Sequence, residues 1–223
     1  MAALGHDGHP AKNLHLPPVP LPRRMWAGGS VECIDGLRVD DRVRRTSTIA
    51  GVEQKVGRSG ELWFVGVDHE YSTHRGIAIR ERQDIVYRAA PGPGRADRSA
   101  SARSEPAGEG RPPHAVWTVE TTPTLLFRYS AISFNGHRIH YDLPYATDIE
   151  GYAGLVVHGP LQATLLLNLA ALGGAPPRRF IYRGIAPAIA GAPLHACAGR
   201  GDGRFWTAGQ GGVIHMEAET PAR

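Results

Sequence analysis

The segment Ser130–Asp142, SAISFNGHRIHYD, places two histidines, an asparagine, an aspartate and a tyrosine side by side near the middle of the chain. His140 lies five positions after Asn135, and a further histidine, His158, follows in VVHGP. An unperturbed imidazole titrates at ~6.5, so His140 has the chemistry to take up and return a proton near neutrality. Asn135 cannot be a base; its carboxamide can only orient a water or a substrate by hydrogen bonds. Two other chemistries use the same residue types. His137 and His140 are three apart with His158 beyond, but no cysteine or further histidine accompanies them at a zinc-site spacing, so no metal ligand is assigned. A Ser-His-Asp set is available in composition, yet there is no G-x-S-x-G elbow to present the serine. Spacing alone leaves the segment open between a structural polar loop and a proton-transfer site.

Rigid elements must hold such a site. After the loop, LVVHGPLQATLLLNLAALGG begins at Leu155; Gly159 and Pro160 fit a helix start and Gly173-Gly174 its end. Nearly every face of that helix is apolar, which marks it as buried. RRFIYRGIAPAI, APLHACAGR, RFWTAGQ and GVIHMEAET then read as four short strands separated by glycine and proline turns. Earlier, DDRVRRTSTIAGVEQKVG, ELWFVGVDHEYS and GIAIRERQDIVYR read as three antiparallel strands, with GRSG turning between the first two. The stretch before them carries Pro17, Pro18, Pro20 and Pro22 and cannot be a regular helix. Residues 89–113 contain no Ile, Leu, Val, Met or aromatic residue and read as a flexible linker. The expected organisation is α+β, with a helix-poor half at 1–88, the linker at 89–113, and at 114–223 a buried helix wrapped by a second sheet of similar size.

Composition bounds the partners. The chain has 223 residues, 42% of them apolar, enough to bury a core. The formal charge of +4 comes from 25 basic against 21 acidic residues spread along the chain rather than in a stripe, which argues against nucleic acid and suits a small polyanion. Cys33 and Cys197 lie far apart and are expected to be free thiols in a reducing compartment. Without an apolar leader at Met1–Arg24 or a membrane-length apolar run, a soluble cytoplasmic protein with no membrane partner is expected.

The segment from Tyr129 to Leu166, YSAISFNGHRIHYDLPYATDIEGYAGLVVHGPLQATLL, resembles the MaoC-like acyl-thioester hydratases and dehydratases. Within them it is most similar to the mesaconyl-CoA hydratase and type 2 3-hydroxyacyl-thioester dehydratase branch. PRRMWAGG, KVGRSGELWFV and ERQDIVYR are similar to that branch's N-terminal half, so the resemblance covers nearly all of the chain outside the linker. It implies a double hotdog fold, with a first hotdog shortened at its N-terminus, and a hydro-lyase acting reversibly on an enoyl or 3-hydroxyacyl thioester with a mesaconyl-like or short branched acyl group.

The resemblance also implies the roles. The family's catalytic His falls on His140, its Asp on Asn135, and a helix Ser on Thr164, which keeps a hydroxyl. The helix N-terminus at Gly159 would stabilise the enolate oxygen with free N–H groups and the positive end of the dipole; Pro160 has no N–H, so the donor is Gly159 or Leu161. His158, Tyr141, Val157 and Trp26 are expected along the substrate channel. Arg24 and Arg58, with Arg23 and Lys55, are candidates for the phosphates of coenzyme A or phosphopantetheine, their alternative being solvated surface. No cofactor is expected apart from that carrier, which is part of the substrate. The partner is an acyl-CoA or an acyl-carrier-protein thioester, and the assembly a homodimer. Two other readings stand beside this one: a tailoring dehydratase on a carrier-bound intermediate, and a repurposed hotdog protein that binds a ligand or catalyses another reaction.

Overall fold

The computed structural model describes residues 3–57, 60–90 and 113–221; Arg58 and positions 91–112 of the expected linker lie outside the described residues. In the first half, β1 (Arg23–Cys33) precedes the three long strands read from alternation, β2 (Arg44–Gly57), β3 (Gly60–Thr73) and β4 (Gly76–Arg88). In the second half, β5 (Ala115–Glu120) and α1 (Pro123–Ser133) precede the buried helix α2 (Gly159–Ala170), and β6 (Arg179–Gly184), β7 (Pro193–Ala198), β8 (Arg204–Ala208) and β9 (Ile214–Glu219) match the four short strands.

The strands form one sheet in the order β2-β3-β4-β1-β6-β9-β8-β7-β5, and all pairings are antiparallel. The second sheet expected from the sequence is therefore not separate. β1 pairs with β4 on one side and, through Gly28–Glu32 against Arg183–Arg179, with β6 on the other. Each half-sheet ends in a row of unpaired N–H and C=O groups, and joining the two edges satisfies them.

The second half of the sheet curls round α2. Ala163, Leu166 and Leu169 pack with Phe180 and Tyr182 of β6, Ala196 and Ala198 of β7, and Met216 and Ala218 of β9. A buried polar contact crosses the same interface, the Thr207 hydroxyl donating to Gln162 Oε1 at 2.6 Å. The helix is not buried all round: Thr164 and Asn168 are exposed. Thr122 caps α1 by accepting from the Leu125 N–H at 3.2 Å, and Leu126 joins Val157, Leu161, Ala188 and Leu194 in a second core.

In the first half, no helix covers the sheet among the described residues. The proline-rich segment does so in part, with Val19, flanked by Leu16 and Leu21, packed on Val65, Val67, Ile85 and Tyr87. Cys33 and Cys197 are free, as expected. No helix among the described residues is long and apolar enough to cross a membrane.

Candidate active site

The polar segment begins inside a helix rather than in a loop. Ser130–Ser133 form the last turn of α1, and Phe134 ends it in the left-handed conformation at φ 51°. That reversal turns the chain back towards α2. Asn135 then fixes the turn locally: its Oδ1 accepts from the His137 N–H at 3.1 Å, and its own N–H donates to the Ser130 carbonyl at 2.9 Å. His140 ends a short 3-10 turn, Arg138–His140, and is buried.

His140 is held from the far side of the site. Its Nδ1 lies 2.7 Å from the Val156 carbonyl oxygen. A carbonyl can only accept, so Nδ1 carries the hydrogen and Nε2 is the basic nitrogen. His158 stacks on the ring at 3.6 Å between centroids and 20° between planes. It is fully buried, with Nε2 2.8 Å from the Ser130 hydroxyl. His137 meets His140 edge-on at 5.6 Å.

Burial dominates the electrostatics, because a cation in this apolar setting loses its hydration. It pushes His140 down to about 4, with the Val156 hydrogen bond opposing. His158 falls to about 3 and His137 to about 2, through burial first and neighbouring histidine charges second. All three rings are neutral at pH 7.

The helix start expected at Gly159 and Pro160 is present. Gly159 is the first residue of α2, Pro160 follows, and His158 at the cap makes no side-chain capping hydrogen bond. Trp26 of β1 lies close against this turn: a Cβ on Gly159 would sit 2.7 Å from its ring. The Trp26 ring in turn stacks on Tyr182 at 4.7 Å.

The remaining expected residues are placed less uniformly. The exposed Thr164 hydroxyl donates back to the Pro160 carbonyl at 2.8 Å and lies 3.4 Å from the Tyr129 hydroxyl. Tyr129 packs edge-on against His158, so Thr164 reaches the histidines through Tyr129. Tyr141 is half-exposed and donates to the Gly136 carbonyl at 2.8 Å. Val157 is buried in the core beside Leu126, and its N–H donates to the Ala188 carbonyl. Arg24 sits near enough to His9 and His137 for its charge to lower both.

Sequence reasoning missed one wall of the site. The N-terminal hairpin, closed by a bridge between Leu4 and Pro10, docks on the loop that carries His137 and His140. The Arg138 N–H donates to the Asp7 carbonyl at 2.9 Å, and its guanidinium to the His6 carbonyl at 3.1 Å. At the contact Gly8, with φ +85°, faces Gly136 so closely that a Cβ on Gly8 would lie 2.0 Å from the Gly136 carbonyl oxygen. His9 packs on His137 with ring centroids 4.4 Å apart. The repeated His-Gly pattern of GHDGHP was visible in the sequence, but its pairing with residues far along the chain was not.

Beside this hairpin is a cavity of about 480 Å3, bordered among others by Asp7, Lys12, Arg24, Tyr87 and Tyr145. Arg23 on its wall is buried and paired with Glu150, and Lys12 donates to the Val19 and Leu21 carbonyls.

Known proteins resemble this chain in sequence and in fold. The family model for hydroxyacyl-thioester dehydratase type 2 matches residues 1–190. The mesaconyl-C(4)-CoA hydratase of Chloroflexus aurantiacus is 43% identical over 221 residues, which is 98% of this chain and 73% of that protein. Among solved structures, HtdX from Mycobacterium tuberculosis superposes with a TM-score of 0.64 at 21% identity, over 88% of this chain and 75% of the other. A second Mycobacterium tuberculosis protein, described as having a double hotdog fold, gives 0.53 at 15% identity over 88% and 74%. The nine-stranded sheet curled round α2 is thus a double hotdog, and the chain belongs to the hydroxyacyl-thioester dehydratase type 2 family of hydro-lyases.

Proposed function

We propose that this protein adds water reversibly across the double bond of an enoyl thioester, with a mesaconyl-like dicarboxylic or short branched acyl group carried on coenzyme A. The observation that carries the reading is His140. It is buried, its Nδ1–H is committed to the Val156 carbonyl, and Nε2 is left as a base beside the uncapped start of α2.

In the hydration direction, Nε2 takes a proton from water as the water oxygen bonds to the β-carbon. The electron pair of the double bond moves towards the thioester, giving an enolate oxygen. N–H groups at the start of α2, with the helix dipole behind them, stabilise that charge in a water-poor setting. The imidazolium then delivers its proton to the α-carbon, and the enolate collapses to the 3-hydroxyacyl thioester. Dehydration is the same path reversed. Burial keeps the His140 imidazole neutral before the reaction, so Nε2 is available to accept the first proton.

Two further features support the substrate class. Arg24, whose charge reaches His137, and Lys12 line the cavity beside the N-terminal hairpin; with Arg23 matched by Glu150, these two basic groups outnumber Asp7 there and favour an anionic acyl end. The similarity to a mesaconyl-C(4)-CoA hydratase points the same way.

Purified protein incubated with mesaconyl-CoA and crotonyl-CoA, followed by loss of enoyl absorbance, tests the reading. Turnover is expected on both, faster on the dicarboxylic ester; no loss of absorbance with either ester overturns it. In the same assay Asn135→Ala is expected to lower kcat/KM by no more than about tenfold, the worth of one neutral hydrogen bond. The asparagine shapes the loop through the His137 N–H. A loss of a thousandfold would give Asn135 a direct chemical role instead.

A further inference from the structure

We propose that Asp7, His9 and His137 form a binding site for a divalent transition-metal ion of the zinc class, at the joint between the N-terminal hairpin and the catalytic loop. Each residue offers one ligand atom, and these atoms all lie within 4.8 Å of one another. Ligand atoms bound at ~2.0–2.2 Å in a tetrahedron are about 3.4 Å apart, so small side-chain rotations close the set. Two imidazoles and a carboxylate are a known zinc donor set that leaves a fourth position open.

The backbone pre-positions the three. Asp7 Oδ1 accepts from the His9 N–H at 3.0 Å, and the Gly5 N–H donates to the His9 carbonyl at 2.7 Å, which fixes the hairpin. The Arg138 N–H bonded to the Asp7 carbonyl and the close Gly8–Gly136 approach fix the hairpin against the loop that carries His137. Pinning at both sides removes much of the ordering cost a metal would otherwise have to offset.

A second observation is independent of the spacing. His137 is only 6% exposed, and its Nε2 is buried with no hydrogen-bond partner among the described residues. A buried polar nitrogen without a partner calls for an explanation, and His137 stands against two groups that ligate metals. Arg24 opposes a cation here and Asp7 favours one, so affinity reflects the balance between them. A bound ion would staple the hairpin to the catalytic loop one ring away from His140.

The test is a titration of the full chain after chelator treatment and dialysis. Co2+ is followed by its visible ligand-field absorption, and Zn2+ by calorimetry and by thermal melting. One equivalent of each is expected to bind, with the intense absorption of low-coordinate Co2+ and a melting temperature that rises with Zn2+ concentration. His9→Gln and Asp7→Asn are each expected to weaken binding at least tenfold, with circular dichroism of the metal-free variants matching the parent. Two different ligands are changed so that misfolding of one variant leaves the other decisive. Failure of the parent to bind a stoichiometric ion, or binding by both variants at parental affinity, overturns the proposal. None of these readouts depends on the hydratase reaction, so either conclusion can fail alone.

Discussion

His140→Gln is expected to lower kcat/KM for enoyl-thioester hydration by roughly 10²–10⁴-fold, the range attributed to a positioned acid-base group. Glutamine can still donate to the Val156 carbonyl, so the hydrogen bond that anchors position 140 has a replacement. What it cannot do is carry a proton from water to carbon. The melting temperature should therefore change far less than the rate. No other group takes over the role: Asn135 does not titrate, and His158 is fully buried with Nε2 held at Ser130. A variant that retains more than a tenth of the parental kcat/KM would remove His140 from the mechanism.

Gly159→Ala is the second large effect, and it acts on the opposite side of the reaction. The new methyl would stand 2.7 Å from the Trp26 ring, well inside contact distance. Trp26 has little freedom to yield, because its ring is stacked on Tyr182, which is buried. The first turn of α2 must then move away from β1, carrying its N–H groups with it. Loss of one oxyanion donor costs about 10²–10³ in kcat, and a drop of that order with little change in KM is expected. The companion Trp26→Leu opens the space and should restore part of the lost rate in the Gly159→Ala background. Equal rates for Gly159→Ala and the parent would move the oxyanion site elsewhere.

The long elements could be read from the chain because each repeats a pattern. β2, β3 and β4 alternate over many residues, and α2 is framed by Gly159-Pro160 and the glycines at its end. β1 was hidden: it starts one residue after four prolines, and RRMWAGGSVEC has neither alternation nor an apolar run. β5 is only six residues long and adjoins the linker, so it had little pattern to show. α1 carried a capping signal in Thr122-Pro123, but its polar last turn reads as loop. The single sheet was out of reach, because the β1–β6 pairing joins segments that no local periodicity connects.

The site divides in the same way. Spacing put His140 in a polar cluster and left its role open; the family resemblance suggests the role, and the structure supplies the tautomer through Val156. Asn135, which the resemblance places at a titratable position of the broader family, spends its oxygen here on the loop backbone. The pairing of His9 and Asp7 with His137 had no local signal, since His137 comes from the other half of the chain.

In this mechanism one imidazole handles both protons. A single group on one face of the double bond returns the proton to the face from which water was activated. Hydration of mesaconyl-CoA or crotonyl-CoA in D2O, with the product configuration read by NMR, tests this most directly. The account predicts one diastereomer, with deuterium at the α-carbon and hydroxyl at the β-carbon added to the same face. Addition to opposite faces, or a mixture of both diastereomers, would contradict it.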